Sequence, residues 1–402
     1  MNIEASVLVF TCLLSVLVLL ILYTEKKLIS QEKVKLLIND EKEIDVSPGS
    51  TLLNTLSTFN IFIPSACGGG GTCAMCKCRI TEGGGSILPT EETHINRKDA
   101  KDFVRLACQV KIKNSMKIHV PEEIFSIKSY TGTVDSNENV ATFIKFLRFN
   151  IDKGESLKFK AGGYIQISVP VGTYDFKNFE IEDQYKEDWN KLNLWRYKCL
   201  VDQPIFRAYS MANHPAEGNK ISLTIRIATP PPRMPDVNPG QCSSYVFSLK
   251  KGDKIDFSGS YGEFFMKNTQ KEMIYIGGGA GMAPMRSHIF HLFHTLKTSR
   301  KVTFFYGARS QRESFFDDEF KLIEDKFKNF KHILGLSEPL PEDNWTGPVG
   351  FIHNIAYQYL LKHEDPSEAE YYLCGPPMMI DSVIHMLDNL GVEEDSIAYD
   401  KF

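Results

Sequence analysis

The sequence predicts a multidomain protein: one transmembrane helix, then a small cysteine-bearing domain, an antiparallel β-barrel, and an α/β domain with a parallel sheet. Three observations carry that expectation. Residues 5–23, ASVLVFTCLLSVLVLLILY, hold no charge. Four cysteines crowd into CGGGGTCAMCKC, from Cys67 to Cys78. Past Lys271 the rhythm changes from short alternating strands to apolar strands alternating with helical stretches.

The bulk properties narrow the function before any motif does. At 43% apolar and 24% charged, 402 residues suffice for several cores. Forty-six basic residues against fifty acidic leave a formal charge of −4 and no long block of one sign, so no nucleic-acid partner is expected. Nine cysteines, an odd number with four of them clustered in one short region, differ from the even framework of a small secreted domain. Metal or redox chemistry is the better expectation.

Taken in order, residues 1–25 form the anchor. Roughly twenty helical residues cross a hydrocarbon core about 30 Å thick. A signal peptide would need a basic leading region and a small-residue cleavage site, and neither is present. Lys26 and Lys27 follow the apolar run while no Lys or Arg precedes it, which puts the C-terminal bulk on the cytoplasmic side. In residues 30–123, KVKLLI, Asn39-Asp40 and KEIDV read as strand, turn and strand, and Ser47-Pro48-Gly49 leads into a helix around Leu52 to Asn60. Residues 124–268 carry the short alternating strands GGYIQISV, IFRAYSM and ISLTIRIA between Gly and Pro, the pattern of a small barrel. Within them, residues 172–201 are rich in charge and aromatics and too long for a hairpin loop, so a functional or docking insertion is expected. In residues 269–402, EMIYIG, KVTFFYGA and EYYLCG are the strands of a parallel sheet.

Five residues separate Cys67 from Cys73, two separate Cys73 from Cys76, and thirty-one lie between Cys76 and Cys108. A zinc or single-iron site would take two facing Cys-x-x-Cys pairs. Three thiolates in one loop plus one distant thiolate suit a 2Fe-2S cluster instead. Such a negative centre is stabilised by backbone N–H groups aimed at its sulfurs, and Gly68 to Gly71 give the chain the freedom to aim them. Cys78 is surplus to four ligands. It reads as a small buried strand residue, with exchange for Cys76 as the alternative.

In FRAYSMAN, strand alternation puts Arg207 and Tyr209 on one face, a clamp for pyrophosphate and an aromatic plate for a ring, with the Ser210 hydroxyl beside them. PGQCSSYVFSL places Gly240, Cys242 and Ser243 where a helix begins, and free N–H groups there bind phosphate. MIYIGGGAGMAPM is a strand running into a Gly-rich turn and a helix, spanning Gly277, Gly278, Gly279, Gly281 and Pro284, an arrangement that carries a dinucleotide phosphate. YGARS and CGPPMM, the latter with Gly375 and Pro376, supply two further strand ends. The YGARS end, which should read the adenosine ribose, holds Arg309, Arg312 and Glu313 rather than a lone acid. His288, His291 and His294 read as ordinary helix residues rather than metal ligands.

In this order, the apolar run, Cys-x5-Cys-x2-Cys with a distant Cys, Arg-x-Tyr-Ser, Gly-x-Cys-Ser, a Gly-rich turn ending in Ala-Pro, and Cys-Gly-Pro resemble one family end to end. It is the family of F subunits of the sodium-translocating NADH:quinone reductases; PSACGGGGTC, GGGSILPTE, RLACQV, RIATPPP and GARSQRESFF are its specific stretches. The resemblance implies a β-grasp ferredoxin domain joined to a ferredoxin-NADP reductase-like module that holds FAD in the barrel and NADH in the α/β domain. It implies that Cys67, Cys73, Cys76 and Cys108 ligate the 2Fe-2S cluster and that Arg207, Tyr209, Ser210, Gly240, Cys242 and Ser243 bind FAD. Gly277 to Pro284 would hold NADH, Cys374 would lie near hydride transfer, and the terminal Phe402 would cover the flavin ring. Cys78 stands where the family would place an aliphatic residue.

A hydride brings two electrons and a 2Fe-2S centre accepts one, so a flavin between them is expected. The expected activity is NADH oxidation at the entry of an NADH:ubiquinone oxidoreductase in a bacterial inner membrane. Electrons would pass to other subunits and through them to quinone, and one anchor cannot enclose an ion path. Two rivals share parts of this pattern: the reductase component of a soluble oxygenase, and a membrane-anchored iron-sulfur electron-transfer or redox-sensing module.

Overall fold

The computed structural model describes residues 3–28 and 33–401. They fall into two compact units, Met1–Lys128 and Ser129–Phe402.

The first unit opens with helix α1 (Ile3–Leu28). Its side chains are described at residue 7 and residues 9–20, and all of these are exposed. Thr11 and Ser15 donate to the carbonyls of Val7 and Thr11, each at 2.8 Å, so both hydroxyls are satisfied by their own helix. Among the described residues no helix is long and apolar enough to cross a membrane.

Five strands follow: β1 (Val34–Ile38), β2 (Lys42–Val46), β3 (Lys77–Glu82), β4 (Val104–Leu106) and β5 (Met116–His119). They form one sheet in the order β2-β1-β5-β3-β4. β1 and β5 pair in parallel and the other pairs are antiparallel. The β1–β2 turn falls on Asn39 and Asp40, both at positive φ, as an Asn-Asp hairpin requires. Helix α2 (Leu52–Thr58) starts where Thr51 accepts from the Asn54 N–H, and it buries Leu52, Leu53 and Leu56. Helix α3 (Arg97–Lys101) is capped by Asn96. The excursion between β3 and β4 is pinned by a buried pair: Arg105 binds Glu91 at 2.6 Å, and Glu91 also accepts from the N–H groups of Leu88 and Leu106.

In the second unit, β6 (Lys128–Ala141), β7 (Ile144–Ile151), β8 (Tyr164–Val169), β11 (Ile205–Ser210), β12 (Lys220–Arg226) and β13 (Lys254–Tyr261) make a six-stranded sheet in the order β11-β8-β13-β6-β7-β12. Its two outer strands meet again at the Met211–Leu223 bridge, where the Ala212 N–H donates to Ser222. Helix α5 (Gln241–Ser248) packs inside this core, with Val246 and Phe247 fully buried. The long insertion adds the hairpin of β9 (Gly172–Asp175) and β10 (Lys198–Val201) and helix α4 (Asp183–Lys191). It packs inward: Phe176, Phe179, Tyr185, Trp189 and Leu194 belong to the same buried cluster as the strands.

The rest of the unit is a parallel sheet of β14 (Met273–Gly278), β15 (Val302–Ala308), β16 (Phe330–Leu336), β17 (Glu370–Gly375) and β18 (Ile397–Lys401), in the order β16-β15-β14-β17-β18. Helices α6 (Met282–Phe290) and α7 (Asp317–Lys326) cover one face, where Tyr275 points; α8 (Ile352–Leu360) and α9 (Pro377–Asn389) cover the other, where Ile274 and Ile276 point. The chain lays down β14, β15 and β16 to one side and then β17 and β18 to the other. The order therefore reverses between β14 and β17, the position at which open parallel sheets hold ligands.

Candidate redox centre and nucleotide cleft

The first unit brings the four predicted cysteines together as two pairs. The Sγ atoms of Cys67 and Cys73 lie 3.4 Å apart, and the thiols of Cys76 and Cys108 are hydrogen-bonded to each other. Within each pair one thiol donates to the other. Cys67 and Cys108 are thereby held below the usual thiol range, and Cys73 and Cys76 are pushed above it. Among the described residues no three or more His, Cys, Asp or Glu side chains converge on a single metal-ion site. Two pairs of thiols suit a cluster of two irons, each taking two thiolates.

The loop fits such a group. Gly68, Gly69, Gly71 and Ala74 all sit at positive φ. A Cβ on Gly71 would come within 2.8 Å of the Gln109 amide. That amide in turn donates to Gly69 O at 3.2 Å and to Cys108 Sγ at 3.5 Å. Cys78 lies on β3, nearly fully buried, its thiol pushed up to about 12 by burial.

In the second unit, Arg207, Tyr209 and Ser210 lie on β11, every residue of which is half-buried. Tyr209 is hydrogen-bonded to Cys242 at the start of α5, and burial, with Cys242 adding to it, holds its hydroxyl well above the usual range. Burial pushes the Cys242 thiol up to about 12, against the pull of Tyr209 and Arg207. Helix α5 has no side-chain cap at its N-terminus. Gly240, ahead of it, has room for nothing larger, since a Cβ would meet Ala228 at 2.6 Å and Ser243 Oγ at 2.8 Å. The Ser243 hydroxyl itself holds the loop, accepting from the Ala228 N–H and donating to Gly240 O. An uncapped helix start, an arginine and a half-buried tyrosine within one neighbourhood fit a flavin nucleotide.

Ser210 reaches across to the parallel sheet. Its hydroxyl donates to Asp400 Oδ2 at 3.1 Å, and Asp400 is in register with Cys374 on the adjacent strand. Burial raises the Asp400 carboxyl above its usual range against the Ser210 bond, and burial with Asp400 nearby drives the Cys374 thiol well up. Asp400 was not foreseen from sequence; its only signal is its place two residues before Phe402. Phe402 lies outside the described residues.

A cavity of about 750 Å³ opens at the carboxyl ends of β14 to β17. Gly278, Gly279 and Pro376 line it, whereas Gly277, Gly281, Pro284, Cys374 and Gly375 do not. Gly281 serves packing instead, as a Cβ there would collide with the Cys374 carbonyl. The rim carries exposed Phe351 and Met378. Arg309, Arg312 and Glu313 line the wall together with Asp188 of the insertion and Glu338 after β16, neither of which sequence reasoning singled out. Asp188, Arg312 and Glu313 form a ring with Thr142 and Trp189, closed by the chain neighbours Asp188 and Trp189: Asp188 binds Arg312 at 2.5 Å, Arg312 approaches Glu313 at 3.5 Å, Glu313 accepts from the Thr142 N–H at 3.1 Å, and the Thr142 carbonyl accepts from Trp189 Nε1 at 2.8 Å. Burial lowers His288 to about 4 while it bonds Phe264 O and stacks on the Phe264 ring, so it is a core residue.

Paired thiols, an arginine and a tyrosine beside an uncapped helix start, and a cleft at a strand-order reversal define an iron-sulfur flavoprotein reductase. Three family models match in agreement: a 2Fe-2S iron-sulfur cluster binding domain at residues 36–113, an oxidoreductase FAD-binding domain at 194–266 and an oxidoreductase NAD-binding domain at 275–385. The chain belongs to the family of the F subunit of Na(+)-translocating NADH-quinone reductase. It is 53% identical over 403 residues to the F subunit of Neisseria meningitidis serogroup C, covering all of both chains, and 53% identical over 404 residues to that of Haemophilus ducreyi, covering 100% of this chain and 99% of the relative. The fold is similar to the ferredoxin reductase in carbazole 1,9a-dioxygenase, with a TM-score of 0.61, 24% identity and coverage of 92% of this chain and 98% of that one. It is also similar to the flavohem-like FAD/NAD binding domain of nitric oxide dioxygenase from Vibrio cholerae, with a TM-score of 0.52, 21% identity and coverage of 68% and 98%.

Proposed function

We propose that this chain is the NADH-oxidising, electron-input subunit of a Na(+)-translocating NADH:quinone reductase in a bacterial inner membrane. α1 serves as its single anchor and the residues that follow it lie on the cytoplasmic side. We assign residues 30–123 to the cluster, 124–268 to the flavin in a six-stranded barrel and 269–402 to NADH. Other subunits take the electrons on to quinone. The Ser210–Asp400 bond carries the reading, because it joins the flavin strand to the nucleotide sheet beside Cys374.

FAD, when bound, turns the two-electron hydride of NADH into single electrons that a 2Fe-2S cluster accepts. The chain's own residues supply position and charge. Arg207 and the start of α5 neutralise pyrophosphate, and Tyr209 borders the ring. Gly278, Gly279 and Pro376 let the dinucleotide lie close to the strand ends. Ser210 and Asp400 hold a proton between them beside the reacting edge, and Cys374 keeps that edge dry. Cys67, Cys73, Cys76 and Cys108 hold the cluster.

The test uses the full chain in detergent, its visible spectrum and low-temperature EPR taken before and after NADH. Flavin bleaching with a rhombic signal is the expected result. Bound flavin and iron that NADH does not reduce would sink the proposal.

A further inference from the structure

We propose that Glu338, seconded by Asp188, sets the nucleotide preference of the cleft: each cancels an arginine that would otherwise receive a 2′-phosphate. The proposal rests on the reading of this cavity as the NADH site.

NADH and NADPH differ only at the adenosine 2′ position, where NADPH carries a phosphate of roughly two negative charges near neutral pH. Phosphate recognition needs an arginine or lysine with its donors available. The second strand of such a sheet supplies the ribose reader at its carboxyl end, and here that end carries Arg309 and Arg312, which by type would favour NADPH. The structure answers both charges. Arg309 Nη2 binds Glu338 Oε2 at 2.8 Å, and the Glu338 N–H donates to Arg309 O at 2.7 Å, so the two loops hold the side chains side by side. Arg312 binds Asp188 at 2.5 Å and has Glu313 on its other flank.

Three arginines line the cavity, Arg226, Arg309 and Arg312, against three carboxylates, Asp188, Glu313 and Glu338. The wall therefore has no net positive charge to offer a dianion. A 2′-phosphate would have to displace Glu338 and then lie beside it. A ribose hydroxyl meets no such repulsion and finds carboxylate acceptors. Both members of the Arg309–Glu338 pair are exposed, so the pair adds little to stability and can be altered without threatening the fold.

The experiment measures kcat/KM for NADH and NADPH with ferricyanide as acceptor. It uses the cofactor-loaded full chain and its Glu338→Gln, Asp188→Asn and Glu338→Gln/Arg309→Ala variants, with 2′,5′-ADP as a competitive probe. Glu338→Gln should raise the NADPH to NADH ratio about tenfold or more and tighten 2′,5′-ADP by a similar factor. Asp188→Asn should raise the ratio less, since Glu313 still holds Arg312. Adding Arg309→Ala should cancel the Glu338→Gln gain. A ratio that Glu338→Gln does not move, or a gain that survives loss of Arg309, overturns the proposal. NADH oxidation with an unmoved ratio overturns this proposal alone, whereas an unmodified chain that oxidises neither nucleotide overturns the cleft reading as well.

Discussion

Ser210 Oγ donates to Asp400 Oδ2 at 3.1 Å, and the bond ties a strand of the six-stranded sheet to the last strand of the parallel sheet. Burial raises the Asp400 carboxyl, so its ionisation falls above the ordinary carboxylate range, and under the proposed function it serves as a proton carrier beside the flavin. Ser210→Ala and Asp400→Asn should each slow NADH-dependent flavin reduction, by roughly tenfold to a hundredfold. Stopped-flow pH profiles are the check: the unmodified chain should show a break above the usual carboxylate range that Asp400→Asn lacks.

The two thiol pairs make a sharp prediction about Cys78. Cys67→Ser, Cys73→Ser, Cys76→Ser and Cys108→Ser should each lose most bound iron and sulfide, because each pair is incomplete without its partner. Cys78→Ser should keep the full complement, since Cys78 lies in the β3 core. Iron and acid-labile sulfide assays distinguish the two groups, and an iron-depleted Cys78→Ser protein would bring Cys78 into the ligand set.

Arg105→Met should destabilise the first unit by about 3–5 kcal/mol, because it leaves the Glu91 carboxylate buried without a counter-charge. Burial raises the Glu91 carboxyl, and the bonds from Arg105 and from the N–H groups of Leu106 and Leu88 outweigh it, leaving it lowered. Its contribution is therefore present above the unfolded carboxylate pKa and lost as pH falls through the lower folded value. Melting followed at the cluster absorbance should show both effects.

The second unit has an acid weakness at His288. Burial lowers its folded pKa to about 4 from 6.5, so the unfolded chain binds its proton first. Stability held above pH 6.5 declines as pH falls toward 4, by up to about 3 kcal/mol from this group. A His288→Phe variant, monitored by flavin release against pH, should flatten that decline. An unchanged acid limb would assign it to other groups.

Much of the fold was legible because its cues are local. Asn39-Asp40 dictated a turn, the thiol spacing pointed to three ligands in one loop and one distant ligand, and the glycines after Ile276 marked a strand end. What escaped depends on which strand ends the topology sets side by side. Glu338 follows β16 and Arg309 follows β15; only the parallel pairing of those strands makes them neighbours. Asp400 meets Ser210 across nearly half the chain. The insertion was legible as an excess of aromatics and charge, but its direction was not: Trp189 and Phe176 turn into the core and leave Asp188 at the cleft.

The ring through Asp188, Arg312, Glu313, Thr142 and Trp189 works like a truss whose members share load. Two adjacent residues of α4 supply its ends, so a single protease nick in that helix would open both sides of the frame together. Nucleotide affinity should then fade while the buried aromatics still hold the lobe in place, and limited digestion would act as a slow dial on the cleft rather than as a demolition of the unit.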